Sequence, residues 1–253
     1  MTAVLRTFLF AWQFLTAIPL SRSTHDAKPE ELAASMSWYP MVGCLLGLLL
    51  AAVDMALAQV FSSQVTNIVL ILILVAITRG LHQDGLADMV DGLAGGRTAP
   101  ARLAIMRDGR IGAIGATGLF LALGLRYAGL NAVPVGEHIA VLIGMPVVGR
   151  WAMVVGAFHV TYARSEGGLA QPFLAHLCWL HLCVATVTAG LVLMLLLGPW
   201  AALGSLLIGA PLVRLLAAWF HRMFDGVTGD LLGATNEISE ILFVVIVPVV
   251  LFQ

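Results

Sequence analysis

The chain has 253 residues, 60% of them hydrophobic and only 11% charged, with a formal net charge of −1; soluble domains carry about 25% charged residues and about half apolar ones. A mean hydropathy of +0.98 points to a polytopic membrane protein, although the length alone would fit one or two soluble domains. The single lysine, Lys28, and the lack of any basic run exclude a nucleic-acid partner, and the three cysteines, Cys44, Cys178 and Cys183, are odd in number, lie in apolar segments and form no CxxC, so they read as packing residues and not as a disulfide framework or a thiolate metal site.

In chain order, "MTAVLRTFLFAWQFLTAIPL" places one Arg before an apolar stretch, as a signal peptide would, but Gln13 interrupts it and it ends in "IPLSRS" with no A-x-A-like site. It is expected to stay on the protein as an interfacial or short membrane helix. Apolar runs then give seven candidate spans, roughly 38–60, 65–81, 113–130, 138–158, 178–197, 201–220 and 238–253, each near the length that crosses about 30 Å of hydrocarbon at about 1.5 Å per residue. The expected fold class is all-α: a polytopic membrane helix bundle of about seven transmembrane helices plus the N-terminal helix. Alternation is absent, and open sheet edges cannot be satisfied in lipid, so no strand is expected.

The connectors alternate in character. "FSSQVT", "NAVPVGE" and "GPW" carry no Lys or Arg, whereas the others hold Arg6, Arg22, Lys28, Arg79, Arg97, Arg102, Arg107, Arg110, Arg164 and Arg222. The positive-inside rule then puts the N-terminus and the long connectors in the cytoplasm, and the expected location is the bacterial inner membrane, with the lipid bilayer as solvent. Arg126 lies near a helix end and can snorkel. Arg150 lies mid-span and Arg214 about two turns from the cytoplasmic end; charges at such depth face a bundle interior or a polar cavity, in an ion pair or a functional site. Gly43 and Gly47 form a G-x-x-x-G, and Gly112, Gly115 and Gly118 are spaced along the third span, as close helix packing requires.

The polar residues concentrate in two connectors, about 82–112 and 221–237, with a weaker third at 159–172. In "LHQDGLADMVDG" Asp84, Asp88 and Asp91 are spaced i, i+4, i+7, which puts three carboxylates on one face if the helix continues past the membrane boundary. Such carboxylates repel one another unless a hard divalent cation joins them, and oxygen ligands suit Mg²⁺. The plain alternative is a solvated turn region in which Asp-Gly marks turns. Gly95 and Gly96, followed by Arg97, Arg102, Arg107 and Arg110, would suit phosphate oxygens. The second connector supplies Asp225 and Asp230, then Asn236, Glu237 and Glu240. The composition is that of Mg²⁺-assisted diphosphate chemistry, with His82 or a carboxylate such as Asp84 as the catalytic base.

"GLHQDGLADMVDGLAGG", "RLAIMRDGRIGAIGATGL" and "DGVTGDLLGATNEISE", with lesser matches at "FLTAIPL", "YPMVGCLLG" and "GRWAMVVGAFHVTYAR", resemble the signature regions of the cobalamin synthase family (adenosylcobinamide-GDP ribazoletransferases). The resemblance covers nearly the whole chain in order. It implies one transmembrane catalytic domain over 1–253 and a Mg²⁺-dependent phosphotransferase, with adenosylcobinamide-GDP and α-ribazole, or its 5′-phosphate, as substrates. The products would be adenosylcobalamin, or its 5′-phosphate, and GMP. It carries acidic roles onto Asp84, Asp88, Asp91, Asp225 and Asp230, with His82 beside them, and matches Arg107, Asp108 and Arg110 to "MRDGRIG". Gln83 and Met89 depart from the usual motif, at positions expected to bear no chemistry. Homo-oligomerisation is left open.

Two alternatives stand beside this reading. CDP-alcohol phosphotransferases also carry D-x-x-D-G, but here Gly95 and Gly96 stand where that motif has Ala and Arg, and no D-x-x-x-D follows. A transporter would place ionisable groups at the midplane, whereas these are expected to collect on one face.

Overall fold

The computed structural model describes residues 2–20 and 27–251, which excludes Arg22. Helix α1 (Ala3–Leu15) is too short at 13 residues to cross a bilayer and packs on α2 (Pro29–Ser35) and α3 (Tyr39–Leu57). The remaining helices are α4 (Ser63–Ile77), α5 (Leu81–Gly95), α6 (Ala99–Ile105), α7 (Ala113–Ala132), α8 (His138–Ala157), α9 (Gln171–Ala175), α10 (Trp179–Leu197), α11 (Pro199–Phe224) and α12 (Gly229–Leu251). No strand occurs among the described residues beyond one isolated bridge, Tyr162 to Val227. The chain is a polytopic helical membrane protein.

Among the described residues six helical stretches are long and apolar enough to span, against the seven expected; α4 and α5 make a seventh only as a broken pair, bent by 88°. The apolar run through residue 81 reads as one span because hydropathy does not register the break. Backbone geometry makes it: Arg79 and Gly80 are both left-handed, at φ 56° and 66°, a conformation that costs a non-glycine residue about 1–2 kcal/mol. The end of α1 holds the turn. The Arg79 guanidinium donates to the Thr16 carbonyl (2.8 Å), and the Ala17 N–H donates to the Ile77 carbonyl (2.6 Å). Helix α5 therefore runs across the polar end of the bundle and not along the α4 axis.

The connector expected at 221–237 is mostly helix. Only Asp225–Thr228 separates α11 from α12, so the last span begins at 229, nine residues earlier than the hydropathy suggests. Its first turns are polar because they face protein, not lipid. The inner helices are α8, buried from Val141 to Ala157, and α12. Gly43 and Gly47 let α3 lie against α8, as the G-x-x-x-G implies: a Cβ at Gly47 would stand 2.5 Å from Ile143 Cα. Helices α10 and α11 form an outer layer whose Leu195, Trp200 and Leu215 are largely exposed. Of the cysteines, Cys44 is half-buried, whereas Cys178 and Cys183 are exposed and do not fill the core; all three are free thiols.

The bundle interior holds four charges. Arg126 does not snorkel: it is 0% exposed and pairs with Glu237 (2.9 Å) and Glu240 (2.7 Å). Arg150 pairs with Glu240, and Asn236 donates to Glu237 (3.3 Å) and Glu240 (3.1 Å). Charge is therefore not confined to one face, and the charge-placement argument against a transporter does not hold. Arg214 donates to the carbonyls of Phe158 (2.5 Å) and Val155 (3.3 Å), closing the end of α8.

Removing one member of a buried ion pair costs about 3–5 kcal/mol. Glu240→Ala should therefore lower the thermal unfolding midpoint of the detergent-solubilised protein sharply, and Glu240→Gln, which keeps an acceptor oxygen, should fall between it and the wild type. An unchanged midpoint in Glu240→Ala would show that the network does not stabilise the bundle.

Candidate active site

Helix α5 is unbroken from Leu81 to Gly95, so Asp84, Asp88 and Asp91 share one face at i, i+4 and i+7. Their surroundings differ. Asp84 is exposed, and Asp88 and Asp91 are half-buried. Asp91 has a structural duty: its carboxylate accepts the N–H groups of Gly112 (2.7 Å) and Gly115 (2.7 Å), capping α7 from outside that helix. Gly112 and Gly115, read from sequence as helix-packing glycines, also make room for this carboxylate; a Cβ on Gly115 would stand 2.6 Å from its carbon and 2.8 Å from the Ala87 carbonyl of α5.

The first turn of α12 brings Asp230 to the same place. Gly85 of α5 abuts the Asp230 backbone, and Asp230 accepts from the Arg164 guanidinium (2.9 Å) and the Thr228 hydroxyl (3.4 Å). Arg164 is held by the bridge between the 161–163 and 227 backbones, in which Ala163 N–H donates to Val227 O (3.1 Å) and Val227 N–H to Thr161 O (2.9 Å). Gly226, at φ 153°, permits it: a Cβ there would meet the Thr161 carbonyl at 2.5 Å. Burial, reinforced by the charges of Asp84, Asp230 and Asp91 and opposed by Arg164, pushes the Asp88 carboxyl up to about 7.

The other sequence candidates fall into three places. At the rim, Arg107 pairs with Glu166, Arg110 pairs with Asp108 (2.6 Å) and holds that carboxyl below its ordinary range, and Arg97 is exposed. Asp225 ends α11 in a left-handed conformation. It borders a cleft with Arg107 and Arg164 and is not among the carboxylates whose charge raises Asp88. Behind α5, His82 is 1% exposed; burial, with Arg150 and Arg126 nearby, keeps its imidazole neutral. Gln83, expected to carry no chemistry, is buried and donates to Glu237 (3.0 Å), which ties α5 to the inner ion pairs. Asn236, Glu237 and Arg150 belong to that interior. Gly95 and Gly96 close α5 against α6; the Gly96 N–H donates to Gly92 (2.9 Å), and a Cβ on Gly96 would meet the Arg102 backbone N at 2.6 Å. Arg164 reads from the sequence only as a topology marker, although "HVTYAR" is the available signal.

Among the described residues no three carboxylate, imidazole or thiol groups are arranged to enclose a metal ion. Mg²⁺ rarely needs such a cage: it keeps several waters and takes one or two carboxylates plus substrate phosphates. The all-oxygen donor set around Asp88, and the mutual repulsion that raises that carboxyl, fit such an ion.

Together these features define a class: a multi-pass helical membrane protein with clustered carboxylates and arginines at one end of its bundle. The family model described as cobalamin-5-phosphate synthase matches residues 7–248. The chain is 41% identical over 234 residues to the adenosylcobinamide-GDP ribazoletransferase of Syntrophobacter fumaroxidans, covering 92% of this chain and 94% of that one. It is 39% identical to the Geotalea daltonii protein of the same name, over 94% and 95% of the two chains, and 35% identical to the Chlorobaculum tepidum one, over 91% and 90%. No solved structure matches. The chain belongs to the cobalamin-5-phosphate synthase family.

Between the ordinary carboxylate range and about 7, folded protein holds a proton on Asp88 that the unfolded chain has lost, so the metal-free protein loses stability as pH rises through that window and levels off above it. Asp88→Asn should unfold at a higher temperature than wild type near about pH 8 and at a similar one near about pH 4. Mg²⁺ should raise the wild-type midpoint near about pH 8 by more than that of Asp88→Asn, because a charged Asp88 adds repulsion that a cation relieves. Identical behaviour of the two proteins would remove the case for crowded carboxylates.

Proposed function

We propose that this chain transfers the adenosylcobinamide-phosphate group of adenosylcobinamide-GDP to α-ribazole, or its 5′-phosphate, releasing GMP and giving adenosylcobalamin, or its 5′-phosphate. The observation that carries this reading is Asp88 set among Asp84, Asp91 and Asp230 with Arg164 alongside, in a chain of this family. The ribose hydroxyl of the acceptor attacks the phosphorus that bears cobinamide. A new P–O bond forms, the bond from that phosphorus to the bridging oxygen breaks, and GMP departs with the bridging oxygen.

Asp84 is the exposed carboxylate on α5 and takes the hydroxyl proton; His82, buried beside Arg126 and Arg150, supports α5 from behind. Asp84, Asp88 and Asp230 would hold Mg²⁺, with Asp91 adding its charge while it caps α7. When bound, the ion neutralises charge building on the diphosphate oxygens. Arg164 keeps Asp230 in place, and Arg97, Arg107 and Arg110 stand at the rim, where substrate phosphates can take the place of the exposed Glu166 and Asp108 carboxylates. The same arginines, with Arg102 and Arg222, support a cytoplasmic orientation of this end in a bacterial inner membrane.

Membranes containing the protein should release GMP from adenosylcobinamide-GDP only when both α-ribazole and Mg²⁺ are present. Release driven by CDP-alcohols in place of these substrates would overturn the reading. Asp84→Ala should cut turnover by about 10²–10⁴-fold, the usual worth of a proton-transfer group, with membrane insertion intact. Near-normal turnover in both Asp84→Ala and Asp88→Ala would sink the site assignment.

A further inference from the structure

Beside the carboxylates lies a cleft of about 250 Å³ to which the reaction scheme assigns no particular part of either substrate. Its lining combines apolar side chains, Pro100 and Leu103, with polar ones, Arg107, Arg164, Glu166 and Asp225. We infer that this cleft binds the phosphate monoester of a nucleotide between Arg107 and Arg164, with Glu166 as a resident competitor for Arg107. The inference rests on the phosphotransfer reading and adds a subsite to it.

Three observations carry it. First, Arg164 is preorganised: the backbone of the preceding Ala163 is fixed to Val227, its Nη2 is engaged by Asp230 at 2.9 Å, and its Nε is buried with no hydrogen-bond partner among the described residues. A guanidinium that lines the cleft and is already held in place by a carboxylate loses little freedom on meeting an oxyanion. Second, Arg107 is satisfied only by an exposed ion pair with Glu166, and Glu166 also accepts from the Ser165 hydroxyl (3.1 Å). A phosphate dianion carries more charge and three acceptor oxygens, so it can displace one solvent-exposed carboxylate. Third, size selects the ligand. Complete small-molecule sites occupy about 300–1,000 Å³, so this cleft takes a phosphate and its sugar, the sugar lying on Pro100 and Leu103, and leaves the corrinoid outside.

Two phosphates of this kind belong to the reaction: that of the departing GMP and the 5′-phosphate of a phosphorylated α-ribazole. Both are tested in one design. Wild-type turnover in membranes is measured first, and its presence or absence decides the phosphotransfer reading independently. Inhibition by GMP, and KM for α-ribazole against α-ribazole 5′-phosphate, are then compared in wild type, Glu166→Gln and Arg107→Gln. If wild type shows no turnover, calorimetric titration of the solubilised proteins with GMP and with inorganic phosphate gives the same comparison.

If GMP occupies the cleft, Glu166→Gln should tighten its inhibition up to about fivefold, the range of an exposed ion pair. Arg107→Gln should weaken it about 10- to 100-fold, as loss of a charge-assisted hydrogen bond does. If the acceptor occupies it, the same opposite shifts should appear in KM for α-ribazole 5′-phosphate and not in KM for α-ribazole. Wild-type constants for every ligand in both variants, with unfolding midpoints unchanged, would overturn the inference.

Discussion

Four charges inside an apolar bundle constrain everything around them. Arg126 on α7, Arg150 on α8, and Glu237 and Glu240 on α12 neutralise one another, and none of them can turn outward without meeting lipid. A buried ion pair contributes little net stability compared with well-packed apolar residues. Its effect here is on register. It fixes which face of α12 meets α7 and α8, and so fixes where the first turn of α12 emerges. Gln83 extends the constraint to α5 through Glu237, and Gly85 sets α5 directly against Asp230. The distance between the carboxylates of α5 and that of α12 is therefore decided several turns deeper in the bundle.

The two charge groups differ in balance. The interior holds two guanidinium and two carboxylate groups and is neutral. At the rim the charges of Asp84, Asp91 and Asp230 bear on Asp88, with Arg164 in opposition. That surplus is held in place by neighbours that are satisfied: Asp91 by two backbone N–H groups, Asp230 by Arg164 and Thr228. Asp84 and Asp88 are left with the fewest protein partners, and they are the groups most free to respond to a cation or a substrate.

What the sequence shows of this follows from whether the signal is local. The spacing of Asp84, Asp88 and Asp91 is a property of one helix, and so is the small-residue face of Gly43 and Gly47; both are legible without knowing a partner. Arg126 reads as a snorkelling residue because its partner Glu237 lies 111 positions away. Residues 229–237 read as a connector because their polarity serves an interior that hydropathy cannot see. Arg164 reads as a topology marker because the contact that defines it, with Asp230, is 66 positions distant. Gly95 and Gly96 suit a phosphate loop in sequence, yet space is what they provide, for α6. The break after Ile77 escapes notice because the polar "TRG" is only three residues long and sits at the end of an apolar run, where it reads as a span boundary and not as a turn within a broken pair.

That break has a consequence for the N-terminal helix. Helix α5 hangs from a two-residue elbow whose left-handed geometry is costly, and the carbonyl of Thr16 and the N–H of Ala17 are what clamp it. The segment whose sequence resembles a signal peptide is thus a hinge pin. Peeling α1 from the bundle would unlatch the elbow and free the N-terminal end of the carboxylate-bearing helix, leaving Gln83, Gly85 and Asp91 to hold its register.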